Sequence, residues 1–116
     1  MDRYEEENTI SLWEDDSPKK IVLTNLHSGE KISFILKKNC IVGRRKPPCD
    51  IQITTKDRYI SGEHFCFEKK GSSIYIRDLN SKNGTWLNGK KILSSTCVHQ
   101  EDVLKAGRSE FKIHLG

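Results

Sequence analysis

Three short polar segments of this chain hold the side chains best suited to gripping an anion. The first is Gly43-Arg44-Arg45-Lys46. A glycine lets the backbone turn off a strand with no side chain in the way. Arg44 then presents a planar guanidinium, which can meet two oxyanion oxygens with parallel hydrogen bonds. The second segment is Ser61-Gly62-Glu63-His64, which offers a hydroxyl and an imidazole. The third is Asn80-Ser81-Lys82-Asn83-Gly84-Thr85. Asn-Gly readily takes positive φ and makes a tight turn. The Asn83 side chain is both donor and acceptor, able to pair with a peptide main chain, and Lys82 adds a mobile positive charge. Each segment alone has an ordinary reading: a solvated basic loop, a polar strand start, a turn. Together they supply two cations, a hydroxyl and an amide, an inventory that suits a phosphate group carried by another protein.

Catalysis fits these residues poorly. In an extended chain residues three apart point to opposite faces, so Ser61 and His64 are expected to be badly placed for proton relay. No orienting carboxylate is evident, and there is no G-x-S-x-G elbow. The four cysteines, Cys40, Cys49, Cys66 and Cys97, have no C-x-x-C spacing. Neither His64 nor His99 completes a zinc pattern with them. No metal or other cofactor is expected, and without a secretory signal the cysteines read as reduced core or loop residues rather than two disulfides.

The elements that must position these groups are short strands. Lys20–Leu26 and Lys31–Leu36 read as a hairpin across His27–Glu30. Asn39–Val42 forms a strand ended by Gly43, and Asp50–Ile53 a short one after Pro47-Pro48. His64–Glu68 and Ser73–Arg77 make a second hairpin across Lys70-Gly71-Ser72. Thr85–Leu87 and Lys91–Leu93 make a third across Asn88-Gly89, a strong two-residue turn signal. Glu101–Leu104 and Phe111–Leu115 close the domain around Ala106-Gly107-Arg108. Turns every eight to twelve residues with no long helical period predict an all-β, two-sheet antiparallel sandwich. The suggestive polar residues then fall on loops at strand ends, where a rigid scaffold usually carries its binding groups.

At 116 residues the chain is one domain. No apolar run approaches the ~18 residues that span a bilayer, and residues 1–7 lack a signal-peptide pattern; no membrane partner is expected. The charge is uneven. Residues 1–16 hold seven acids and Arg3, giving −6, so a total of +4 leaves +10 on the rest. Residues 1–18 read as a flexible acidic leader with Ile10, Leu12 and Trp13 as its anchors, and residues 19–116 as the folded domain. A basic body attracts anionic partners. A nucleic-acid-binding β-domain is the alternative reading, but the few aromatics are assigned mostly to core-facing strand positions rather than exposed sites for base stacking.

The order Gly43-Arg44, Ser61 with His64, Asn83-Gly84-Thr85 and Asn88-Gly89 resembles the forkhead-associated (FHA) domain, a reader of phosphothreonine peptides, from about Ile21 to Leu115. The resemblance implies a sandwich of the FHA/SMAD-like kind with binding loops at one end, no enzymatic activity of its own, and a phosphothreonine-containing protein or peptide as partner. It places Arg44 and Ser61 on the phosphate and Asn83 on the peptide main chain. Gly43 and His64 fall at loop-shaping positions, and the N-G-T turn of Asn83, Gly84 and Thr85 lies by the threonine methyl. Lys82 falls at a variable position near the phosphate. Relatives often carry Arg, Lys or Asn after the motif serine; here Gly62 offers only its N–H, and Lys82 or Arg58 is expected to take over that contact. Arg58, in the loop before Ser61, is also the candidate reader of an acidic residue three places after the phosphothreonine. The NGTWLNG run and acidic leader look most like N-terminal FHA domains of fungal checkpoint or meiotic protein kinases. That likeness implies a larger parent, a nuclear or nucleocytoplasmic location and a role in DNA-damage, cell-cycle or meiotic signalling. Association between copies through phosphorylated Thr9 completes the expectations.

Overall fold

A computed structural model describes residues 17–47, 49–53 and 56–116. The leader's proposed anchors, Thr9 and Pro48 lie outside the described residues. Eleven strands run in chain order: β1 (Lys19–Asn25), β2 (Lys31–Leu36), β3 (Asn39–Gly43), β4 (Ile51–Gln52), β5 (Phe65–Lys70), β6 (Ser73–Asp78), β7 (Thr85–Leu87), β8 (Lys90–Lys91), β9 (Thr96–Val98), β10 (Val103–Ala106) and β11 (Ser109–Leu115). Six form one sheet in the order β2-β1-β11-β10-β7-β8, and five form the other in the order β4-β3-β5-β6-β9. All pairings are antiparallel except β3 with β4. The expected two-sheet sandwich is what the chain forms.

The alternation in the strands explains why the sheets stack. Ile21 and Leu23 of β1, Leu104 and Ala106 of β10, and Phe111 and Ile113 of β11 are buried. From the other sheet Cys40 and Val42, Phe65 and Phe67, and Ile74 and Ile76 meet them in one cluster. Period-two burial puts these residues on one face of each strand. Phe67 bridges the layers, with its ring 5.9 Å from Phe34 and edge-on to Phe65 at 5.5 Å. Full burial of such side chains contributes roughly 1.5–3 kcal/mol each, an upper estimate. The four cysteines are free thiols, three of them buried. Burial, reinforced by the nearby Asp50, pushes the Cys40 thiol up to about 12.

Several details depart from the sequence reading. Lys91–Leu93 is not a strand: β8 is only Lys90–Lys91, and Leu93 is 89% exposed. The Asn88-Gly89 turn itself forms, with φ of 53° and 85°. β9 has no counterpart in the sequence reading; it adds to the edge of the second sheet beside β6. β5 starts at Phe65, so His64 stands just outside it. Trp86 faces outward, with Lys91 and Lys105 over its ring, and Tyr59 is also exposed; not every aromatic serves the core.

β1 and β11 pair along their lengths, Ile21 opposite Leu115 at one end and Asn25 opposite Phe111 at the other. The Gly116 N–H donates to Lys20 O at 2.8 Å.

Candidate functional site

The three polar segments meet on the loop formed by residues 59–62. Gly43 explains how the first comes so close. A Cβ built on it would lie 2.0 Å from the carbonyl oxygen of Gly62 and 2.7 Å from its carbon. Only a glycine admits that approach. It lets the Arg44 N–H donate to Ser61 O at 3.0 Å and the His64 N–H to Val42 O at 2.9 Å. The Arg44 side chain then turns over the same loop, with Nε donating to Ile60 O at 2.8 Å. Its two terminal nitrogens have no partner among the described residues.

Ser61 sits between segments one and three. Its Oγ accepts the Lys82 N–H at 3.1 Å, which leaves the hydroxyl proton for another acceptor. Asn83 closes the group: its Nδ2 donates to Tyr59 O at 3.0 Å. The side chains of Arg44 and Asn83, the hydroxyl of Ser61 and the backbone of Lys82 are therefore all tied to one four-residue stretch. Lys82, Asn83 and Arg58 are exposed.

His64 is fully buried beneath them. The backbone turns between Ser61 and His64, and the contact between them comes from the Ser61 main chain rather than its hydroxyl. The Ser61 N–H donates to Nδ1 at 3.0 Å. Nδ1 must therefore be the unprotonated nitrogen, and Nε2–H donates to Gly84 O at 2.7 Å. One imidazole thus joins the second segment to the third. Burial holds its pKa below the ordinary histidine value, against the opposing pull of the Gly84 carbonyl, Asp78 and Asp57. Both nitrogens are committed, so neither can take a proton from Ser61 Oγ.

The third segment owes its shape to an acid that the sequence reading gave no role. Asp78 accepts from the Ser81 hydroxyl at 2.6 Å, the Ser81 N–H at 2.9 Å and the Thr85 hydroxyl at 2.6 Å. The Ser81 hydroxyl oxygen accepts the Gly84 N–H in turn. Burial alone would raise the Asp78 carboxyl, but the hydrogen bonds from Ser81 and Thr85 outweigh it and hold it below the usual range. Gly84 (φ +88°) and Asn80 (φ 59°) supply the left-handed residues this turn needs.

Asp57 does the same for the second segment. It accepts from the Tyr59 N–H at 3.0 Å, the Arg108 N–H at 2.9 Å and the Ser109 hydroxyl at 2.5 Å. The Arg108 guanidinium lies 4.2 Å from the centre of the Tyr59 ring and bonds its hydroxyl. This clamp fixes the loop before Ser61 against the β10–β11 turn. Beside it opens a cleft of about 530 Å³ lined by Arg58, Tyr59, Arg108 and Glu30 among others. The atoms nearest to where a side chain of residue 62 would begin belong to Arg45, a residue the sequence reading noted only as part of a basic run.

Comparisons with known proteins identify the fold that carries these loops. A family model described as the FHA domain matches residues 40–107. The FHA domain of the CT664 protein from Chlamydia trachomatis superposes with a TM-score of 0.70 at 27% identity, over 84% of this chain and 97% of that one. The FHA domain of an Arabidopsis thaliana hypothetical protein gives 0.72 at 26%, over 87% and 88%. A structure from a study of phosphothreonine-dependent FHA domain interactions gives 0.70 at 24%, over 86% and 98%. A search of curated protein sequences finds no match.

Proposed function

The chain belongs to the FHA-domain family, and from that premise we propose that it reads phosphothreonine on partner proteins through Arg44, Ser61 and Asn83. The observation that carries this reading is the convergence on residues 59–62: Arg44 Nε on Ile60 O, Lys82 N on Ser61 Oγ, and Asn83 Nδ2 on Tyr59 O. The groups left over around Ser61, the Arg44 terminal nitrogens and the Ser61 hydroxyl proton, are donors. Donors so grouped suit an acceptor-rich anion. A phosphothreonine brings about −1.5 to −2 charges and strong acceptor oxygens. Asn83, at the rim, is the group for the peptide main chain, and Gly84 and Thr85 form the turn by the threonine methyl. Arg58 and its cleft are the place for an acidic side chain three residues further on.

The module does no chemistry in this reading; it delivers an address, coupling a kinase's mark to the assembly of a complex. We assign it further to a nuclear or nucleocytoplasmic signalling protein, a checkpoint or meiotic kinase, on the likeness of the Asn83–Gly89 run and the acidic leader. Imaging of the tagged parent protein with and without DNA damage tests that assignment, and an exclusively cytoplasmic signal under both conditions would reject it. Thr9 as a docking site for a second copy stands or falls with sedimentation of the Thr9-phosphorylated chain.

The test of the binding reading is calorimetry with oriented peptide libraries centred on phosphothreonine, phosphoserine or threonine. Hydrogen bonds to charged groups contribute roughly 1.5–3 kcal/mol. Arg44→Ala or Ser61→Ala is therefore expected to weaken phosphothreonine binding roughly tenfold to a hundredfold without unfolding the domain. Undiminished binding by both variants would reject the assignment. Affinity that ignores the phosphate and collapses steeply with salt would instead favour a nucleic-acid binder.

A further inference from the structure

Gly62 leaves a space in the donor cluster, and Arg45 fills it. A Cβ added to Gly62 would lie 3.0 Å from Arg45 Nε, 3.1 Å from Nη2 and 3.5 Å from Cζ. The guanidinium thus stands where the side chain of residue 62 would begin, directly beside Ser61. Its backbone is held there independently: the Arg45 N–H points to Gly62 O at 3.4 Å, and its carbonyl accepts the Cys49 N–H at 3.2 Å. Neither Arg44 nor Arg45 has an ion-pair partner among the described residues. The Gly62 N–H likewise donates to no protein group among them. Two guanidinia, a hydroxyl and an N–H therefore flank residues 60–62, and neither guanidinium is paired with a carboxylate among the described residues.

We propose that Arg45 is a second phosphate-gripping cation of this site, reaching across Gly62 to the same phosphate that Arg44 and Ser61 hold. The proposal rests on the phosphothreonine reading and deepens it. A dianion carries charge and oxygens enough to meet two guanidinia at once. A carboxylate carries one charge and two oxygens, so Asp or Glu in place of phosphothreonine would satisfy one guanidinium at most. The glycine is the condition for this arrangement. A methyl there would press on the Arg45 guanidinium, whose flexible side chain would move aside.

The experiment is a double-mutant cycle on Arg45 and Gly62, read by calorimetry with a phosphothreonine peptide selected from the oriented library. The backbone bonds of residue 45 survive truncation, so Arg45→Ala keeps the loop; circular dichroism and thermal unfolding check this. Arg45→Ala is expected to weaken binding roughly tenfold or more, and Arg45→Lys less, since it keeps charge but not the planar fork. Gly62→Ala is expected to weaken binding in the wild-type background and to add nothing once Arg45 is alanine. Binding by Arg45→Ala within twofold of wild type overturns the proposal, as does an equal penalty from Gly62→Ala in both backgrounds. If Arg44→Ala loses binding while Arg45→Ala does not, this proposal alone falls. If the wild-type domain fails to prefer phosphothreonine over threonine, the functional reading falls with it.

Discussion

Replacing Gly43 by alanine tests the geometry on which the site depends. The new methyl would sit 2.0 Å from Gly62 O, 2.7 Å from Gly62 C and 3.0 Å from Glu63 Cα. Non-bonded carbons rest at roughly 3.5–4.0 Å, so one chain must retreat by at least about 1 Å. Both partners in the clash are backbone, and no rotamer change can relieve it. The retreat pulls on two bonds that cross the contact, Arg44 N to Ser61 O and His64 N to Val42 O. Overpacking of this kind typically costs about 1–3 kcal/mol, and each weakened hydrogen bond about 0.5–1.5 kcal/mol. The sum, about 2–6 kcal/mol, is a large share of the roughly 5–15 kcal/mol that holds a domain together. Urea unfolding of Gly43→Ala is expected to show a loss in that range. The fraction still folded is expected to bind phosphopeptide at least roughly tenfold more weakly, since Arg44 and Ser61 no longer share one frame. A variant that unfolds within about 0.5 kcal/mol of wild type and binds equally well would refute the claim that this close approach builds the cradle.

His64 gives a pH dependence. Its buried imidazole stays neutral in the folded state while the unfolded chain takes up a proton below the ordinary value of 6.5. The unfolded state then binds more protons, so stability falls as pH drops below that value. Urea titrations between pH 5 and 8 are expected to show this slope in wild type and its loss in His64→Gln; an unchanged slope in the variant would assign it elsewhere. Asp57→Ala strands the buried Ser109 hydroxyl, at about 1–3 kcal/mol for an unsatisfied buried group, and hands the exposed Arg108 N–H to water. It also frees the Tyr59 backbone that Asn83 anchors, so thermal unfolding and peptide affinity are expected to drop together. The second phosphate pKa lies near 6, and affinity is expected to fall as pH drops through it. Repeating the titration with His64→Gln separates that effect from the folding effect.

The parts of the fold legible in the sequence were those marked by local chemistry. Asn88-Gly89 announces its turn by itself, because two residues with positive φ are needed and few pairs supply them. Gly43, Ser61, His64 and Asn83 were readable as a set because the loops carrying them have characteristic residues. Asp57 and Asp78 were missed for the opposite reason. A carboxylate on a polar loop looks like solvent-facing charge until its partners are known, and the Ser109 partner of Asp57 lies 52 residues away. β9 escaped because Thr96-Cys97-Val98 is short and its only pairing is with β6. Leu93 was misread as a strand residue because its apolar character follows Lys91-Ile92, yet the chain leaves the sheet there and Leu93 faces solvent. Arg45 was hidden in a basic run; only a glycine elsewhere in the chain gives it a place.

The pairing of β1 with β11 brings Lys20 and Gly116 side by side. Asn25, opposite Phe111 at the other end of that ladder, lines the cleft beside Arg58 and Tyr59. Six residues, Lys20 to Asn25, span the two poles, roughly 17 Å. The chain thus leaves Lys20 and Gly116 at the pole opposite that cleft, like a handle behind a blade. A neighbour tethered at that pole stays clear of the loops that carry Arg58, Ser61 and Arg108.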